Sequence, residues 1–177
     1  MTSVEKHPGD TGSPEDLSAL RERARELIDH AQIVELINRF ARELDERVRH
    51  PGRFDEEWAR LFFTEDAAVD YPVGSYAGVA AIAKGVRQAM GKFLRTQHLH
   101  ANHLVDVDGD NAVVRWDLVA THVLRESSPE SGGEGVGPLF RVGDYYEGEA
   151  VRTARGWRFR SMTLHVVWMT GTPPPRD

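Results

Sequence analysis

The chain predicts an α+β fold in which a curved antiparallel sheet wraps around N-terminal helices, and three observations predict it. Gln32–Val48 carries Ile33, Ile37, Phe40, Leu44 and Val48 at helical spacing. Val113–Arg125 alternates instead, with Val114, Trp116, Leu118, Ala120, His122 and Leu124 on one face, as a strand of period two requires. Between that run and the one before it stands Asp108-Gly109-Asp110-Asn111, a hairpin turn signal. Helices come first and long strands last, a segregated order that places helices against one face of an antiparallel sheet.

In chain order, residues 1 to 14 are rich in Pro, Gly, Ser, Thr and charge and are expected to be disordered. The folded domain is expected over residues 15–170, and 171–177, with Pro173, Pro174 and Pro175, as an irregular tail. A long helix starts near Ser13-Pro14-Glu15 or Asp16, with a break expected near Ile28–Ala31. Pro51-Gly52 ends it, and Asp45, four residues after Ala41, lies on the edge of its apolar stripe. Phe54–Phe63 reads as a second helix burying Trp58, Leu61 and Phe62. Ala67–Tyr71 reads as a short strand, followed by a turn at Pro72–Ser75. Gly78–Leu94 reads as a third helix with the stripe Val79, Ile82, Val86, Met90 and Phe93, weakened at Gly85 and Gly91. Four long strands complete the chain: Thr96–Val107, Ala112–Arg125, Leu139–Val151 and Trp157–Met169, with a loop at Glu126–Gly137 and a turn at Thr153–Gly156.

Composition narrows the function classes. The chain has 177 residues, 40% hydrophobic and 28% charged, enough for one domain with a real core. A net charge of −6 without a basic block argues against nucleic acid or an anionic membrane surface as partner. The absence of cysteine excludes disulfides, thiol catalysis and cysteine–metal sites. No apolar run approaches the roughly 20 residues of a membrane helix, and the polar N-terminus lacks a signal peptide's apolar stretch, so a cytoplasmic protein is expected.

Two ionisable residues stand where apolar ones belong. His122 points with the hydrophobes of its strand, and Asp144 shares a face with Phe140, Val142 and Tyr146. An unpartnered buried charge is costly. Two such residues on neighbouring strands point to a polar pocket inside an apolar core.

Further residues carry a family resemblance. They are Phe40-x4-Asp45, Leu61-Phe62-x-x-Glu65-Asp66-Ala67, Val69-Asp70-Tyr71, Thr96-Gln97-His98, Val107-Asp108-Gly109-Asp110 and Gly156-Trp157-Arg158-Phe159. In this order and spacing, over about residues 30–170, the chain resembles the nuclear transport factor 2-like superfamily. Within it, the chain is similar to the SnoaL-like group that includes scytalone dehydratase and bile-acid 7α-dehydratase. The resemblance implies a cone-shaped α+β domain with an interior pocket. The superfamily spans dehydratases, cyclases, isomerases, non-catalytic dioxygenase subunits and transport factors.

The resemblance also implies roles. His98 matches the paired histidine of scytalone dehydratase, Asp45 its aspartate partner, His122 the second histidine and Tyr71 one of two tyrosines. Leu44 stands where that enzyme has its other tyrosine. Its later-strand Ser and Asn have no clear match, and Asp144 falls nearby. That enzyme's own substrate is therefore not expected here. An imidazole takes a proton near neutral pH, and a carboxylate behind it fixes its tautomer. The plainer alternative makes His98 a satisfied core residue and Asp45 a local cap.

Other residues admit two readings each. His122 and Asp144 serve as acid or substrate anchor, or form a buried salt bridge. Tyr71 and Tyr146 donate to a substrate oxygen, or pack in the core with the hydroxyl at the rim. Asn102 is a candidate pocket hydrogen-bonder, and Trp116 and Phe140 are candidate pocket wall. In a regular strand His98, His100 and Asn102 share a face and His103 points away. A metal held by His98, His100 and Asp45 is conceivable, but the implied relatives need none, so neither metal nor cofactor is expected. His100 and His103 read as rim or interface residues, and His165 as exposed or interfacial. The Glu126–Gly137 loop is either a flap over the pocket or a solvated loop. The expected function is a lyase, specifically a dehydratase, or a cyclase or isomerase. Its substrate would be a small apolar oxygenated metabolite of polyketide, terpenoid or steroid type. A non-catalytic ligand-binding or assembly protein is the alternative. A homo-oligomer, dimer or trimer, is expected in either case.

Overall fold

The computed structural model describes residues 13–125 and 138–174. The N-terminal segment expected to be disordered, the Glu126–Gly137 loop and the last residues of the tail lie outside that set, apart from Ser13 and Pro14.

Helix α1 runs from Pro14 to Arg47. Its start is built by a reciprocal cap: Ser13 Oγ accepts the Asp16 N–H at 3.1 Å and Asp16 Oδ2 accepts the Ser13 N–H at 2.9 Å. The break expected near Ile28–Ala31 does not occur. The apolar stripe lapses there, leaving Leu27 and Ile28 exposed, but no Gly or Pro interrupts the backbone hydrogen-bond ladder. Only the second half of α1 is packed, through Ile33, Leu36, Ile37, Phe40 and Leu44.

A 3-10 turn at Pro51–Arg53 leads to α2, Glu56–Arg60. This helix is shorter than the predicted Phe54–Phe63. Asp55 caps it by accepting the Trp58 N–H at 2.8 Å, and Phe63 already belongs to a strand. That strand, β1, spans Phe63–Tyr71 and pairs with β2, Gly74–Ala77, part of which the sequence assigned to a turn. Helix α3 covers Val79–Met90. Gly85, expected to weaken it, allows the Tyr76 ring to lie against its backbone: a Cβ there would stand 2.4 Å from that ring.

The remaining strands are β3, Phe93–Asp108; β4, Asn111–Leu124; β5, Leu139–Thr153; and β6, Gly156–Gly171. The sheet order is β2-β1-β6-β5-β4-β3. All neighbours are antiparallel except β1 and β6, which are parallel. Side-chain alternation marks the faces of a strand but not its direction, so a fully antiparallel sheet was the natural reading. The curved sheet closes over the packed half of α1. Phe40 sits at the centre of an aromatic cluster with Trp58, Phe62, Phe63 and Phe159, ring centroids 5.4–6.2 Å apart. Deleting so large a buried ring costs about 3–5 kcal/mol, so this cluster is a main anchor of helix to sheet.

Candidate functional site

The inner face of β3, β4 and β5 is laid out in cross-strand rows. Thr96 pairs with His122 and His122 with Phe140; His98 with Ala120 and Ala120 with Val142; His100 with Leu118 and Leu118 with Asp144. Ala120 carries only a methyl group in the middle row.

Asp45 enters from the last turns of α1. It accepts the His98 backbone N–H at 2.9 Å, the Thr96 hydroxyl at 2.7 Å and a hydrogen bond from His98 Nδ1 at 2.6 Å. Burial alone would raise this carboxyl, but the hydrogen bonds and the nearby His98 charge outweigh it and hold it below the ordinary range. An ionised Asp45 can only accept, so His98 carries its proton on Nδ1. Nε2, unbonded to any described residue, is then a lone pair.

His122 lies with its ring 5.3 Å from that of His98 and 4.4 Å from Phe93. Its Nδ1 faces the Phe140 carbonyl at 3.3 Å. Burial, helped by the His98 charge, pushes it down to about 4. Asp144 is 6% exposed, and its Oδ1 has no hydrogen-bond partner. Burial raises it to about 6, against the pull of His98. The two do not form the considered salt bridge: the pairing register sets them in different rows, with the His98 row between.

His100 is inside the site, where the sequence placed it at a rim or interface. Its ring lies 6.4 Å from His98, 5.9 Å from Trp116 and 6.2 Å from Tyr146. Neither ring nitrogen makes a hydrogen bond, although the Ile37 carbonyl approaches, and burial depresses its pKa to about 3. Trp116 stacks on Tyr146 at 4.8 Å and on Phe159 at 5.6 Å, joining the site to the core, and its Nε1–H is also unpartnered. The rings of Tyr71 and Tyr146 are 6.4 Å apart. Burial drives both phenols upward, so both keep their protons. Phe140 is half-buried against the same core.

Asn102 is not in the site. A bulge between Ala101 and Leu104, with Asn102 at φ +52°, reverses the alternation of β3. Asn102 therefore faces outward and donates to Asp117 at 2.8 Å, while His103 turns to the half-buried side. His165 is on the outer face as expected, stacked on Tyr145 at 4.6 Å. Thr96 was missed as an Asp45 partner. The signal was present, because it lies two residues before His98 and so shares its face.

Among the described residues no group of three or more His, Asp or Glu side chains is arranged to hold a metal ion. Among the described residues no helix is long and apolar enough to cross a membrane. A separate open cleft of about 950 Å³ runs past His30, His103, Arg115 and Glu147 and contains none of the inner-face site residues. The inner face as a whole offers a carboxylate-backed imidazole, a protonated-prone carboxyl and unpaired donors along an aromatic wall. That combination suits proton abstraction from a small oxygenated molecule.

The model of the SnoaL-like domain family matches residues 25–163. No curated protein matches the chain. A solved protein from Kribbella flavida is 27% identical, over 82% of this chain and 95% of its own, with a TM-score of 0.67. A candidate scytalone dehydratase from Novosphingobium aromaticivorans is 23% identical, over 86% and 93%, with a TM-score of 0.68. A nuclear transport factor 2-like protein from Salmonella enterica is 20% identical, over 80% and 92%, with a TM-score of 0.64. The last two likenesses bear on the fold alone.

Proposed function

Because this chain belongs to the SnoaL-like domain family, we propose that it is a lyase or isomerase whose Asp45–His98 pair removes a proton next to a substrate carbonyl. The single observation that supports this is the 2.6 Å contact between His98 Nδ1 and Asp45 Oδ1 at the edge of a buried polar face. His98 Nε2 takes the proton, and Asp45 stabilises the imidazolium that forms. The phenol of Tyr71 or the unpartnered Trp116 N–H donates to the developing enolate oxygen. Trp116, Tyr146, Phe140 and Phe93 set aromatic surface against the histidines. The substrate is therefore a small, largely apolar, oxygenated molecule, of polyketide, terpenoid or steroid type. Dehydration is the preferred outcome. Cyclisation and double-bond shift use the same base and the same donors.

Native mass spectrometry against a panel of hydroxy-ketones and aromatic polyketides tests this, with His98→Ala as control. The proposal expects loss of one water mass with the wild-type protein and not with the variant. Conversion at unchanged mass assigns an isomerase, or a cyclase that retains water. Binding without conversion in both proteins overturns the enzymatic reading in favour of a ligand-binding module.

A further inference from the structure

We infer that Asp144 is the proton donor to the departing oxygen of the substrate, so that this site expels a hydroxyl group as water and is not built to expel a halide. The inference rests on the lyase reading above and adds the second half of the reaction to it.

Asp144 is a carboxyl on β5 that the fold buries and leaves unsatisfied. It is 6% exposed and its Oδ1 has no partner. A native protein rarely leaves a buried carboxyl oxygen unpaired, because the desolvation cost is not recovered. The position is not an accident of packing, since Val142 and Tyr146 on the same strand face the same core and are apolar or aromatic. The titratable groups that act on it or are acted on by it are His98 from β3 and Tyr146 from its own strand, and His100 stands in its cross-strand row. Of these only His98 acts to favour the ionised form, and burial outweighs it, leaving a carboxyl that holds its proton to about pH 6. Asp45 is held ionised, and Asp144 keeps its proton to a higher pH than an ordinary carboxyl does. Two carboxyls pushed apart in this way suit a base pair and an acid respectively.

His122 is the competing donor and is less suited. Its one N–H at Nδ1 faces the Phe140 carbonyl, and burial opposes a second proton. It is better placed to accept a hydrogen bond than to give one up. The balanced step is then as follows. The C–H bond next to the carbonyl breaks and its proton goes to His98 Nε2. The electron pair forms the new carbon–carbon double bond as the C–O bond breaks, and the Asp144 proton joins the leaving hydroxyl to give water. Solvent afterwards returns the proton from the imidazolium to the Asp144 carboxylate. Hydroxide is a poor leaving group and needs that proton; chloride does not, and a carboxyl beside it offers no stabilising charge.

The test uses the full chain and two probes, 4-hydroxy-4-phenylbutan-2-one and 4-chloro-4-phenylbutan-2-one, both read by appearance of the conjugated enone. Asp144→Asn keeps the shape and removes the acidic proton. The ratio of water loss to chloride loss is expected to fall about 100-fold in the variant. Infrared titration of the substrate-free wild-type protein is expected to show a carboxyl that deprotonates near pH 6 and is missing from Asp144→Asn. An unchanged ratio, or no such carboxyl, overturns the donor role alone. Turnover of neither probe by the wild-type protein overturns the lyase reading, and the donor role with it.

Discussion

His98 and Asp45 meet at 2.6 Å across 53 residues of chain, a strand imidazole against a helix carboxylate. The carboxylate is held in place from β3 by the Thr96 hydroxyl and the His98 backbone N–H as well, so the pair is fixed at both ends. Replacing Asp45 by Asn, with the amide oxygen kept on the His98 backbone N–H, puts an amide N–H where Oδ1 met both the Thr96 hydroxyl and His98 Nδ1. The imidazole proton would then move to Nε2, where the base needs a lone pair. Turnover is expected to fall about 100- to 10,000-fold with substrate binding largely kept. Steady-state kinetics on the converted substrate, beside circular dichroism to confirm folding, checks this; a loss confined to KM would count against the base assignment.

The far end of the sheet is locked to α1 by a different carboxylate. Asp29 is 3% exposed and faces Arg152, whose guanidinium also lies 4.6 Å over the Trp157 ring and reaches Asp110 at 2.8 Å. Hydrogen bonds from Arg152 hold the Asp29 carboxyl low despite its burial. The two ends of this pair are unequal. Asp29→Asn leaves Arg152 with Asp110 and a partly solvated position, at a cost of about 1 kcal/mol. Arg152→Met strands a buried carboxylate whose other cation, Arg25, is 3.9 Å away, at a cost of about 3 kcal/mol. Urea unfolding of both variants should show that order; equal losses would mean the pair is valued only for its packing.

Acid should destabilise the fold through buried histidines rather than surface carboxylates. His100 and His122 are held down to about 3 and about 4 by burial. On unfolding they return to the ordinary imidazole range. Between pH 4 and 6 the unfolded chain therefore binds two protons that the folded chain refuses, and stability drops as pH falls. Asp144, raised to about 6, runs the other way: it is protonated in the fold and releases its proton on unfolding across the same window. These three groups together take up about one proton, and His103, also lowered by burial, adds to the uptake, so the folding equilibrium constant should fall at least about tenfold per pH unit. In Asp144→Asn the opposing group is gone and the fall should approach a hundredfold per unit. Chemical unfolding at several pH values measures both slopes; parallel slopes would show that Asp144 has an ordinary pKa.

The sequence made the site's main parts legible because strands report their faces directly. The alternation of β4 placed His122 inside, and that of β5 placed Asp144. The 3.6-residue stripe of α1 put Asp45 near enough to His98 for the family resemblance to join them. What failed was what alternation cannot encode. The bulge at Ala101–Leu104 sent Asn102 outward and His103 inward, and nothing in Ala101-Asn102-His103 announces an extra residue. Strand direction was likewise hidden, so the parallel β1–β6 pair was not foreseen. The break expected near Ile28–Ala31 is absent because helix continuity depends on the backbone, which no Gly or Pro interrupts there.

His100 is the residue whose misreading matters most, because its position separates folding from function. Both ring nitrogens are shielded without a hydrogen bond, between Trp116 and Tyr146. A buried unsatisfied polar group costs stability, and such a cost is usually retained only where a ligand relieves it. His100→Leu removes both orphan atoms and keeps an apolar side chain of similar bulk, losing only the ring contacts. The variant is expected to be more stable by about 1 kcal/mol, seen as a higher urea midpoint with an unchanged slope. It should at the same time bind or turn over the substrate less well, a gain in stability at the expense of activity. A variant that is less stable than the parent would mean that water already satisfies the two nitrogens, since a hydrated polar pocket is costly to empty. His100 would then be a member of a wet wall and not a contact waiting for a ligand.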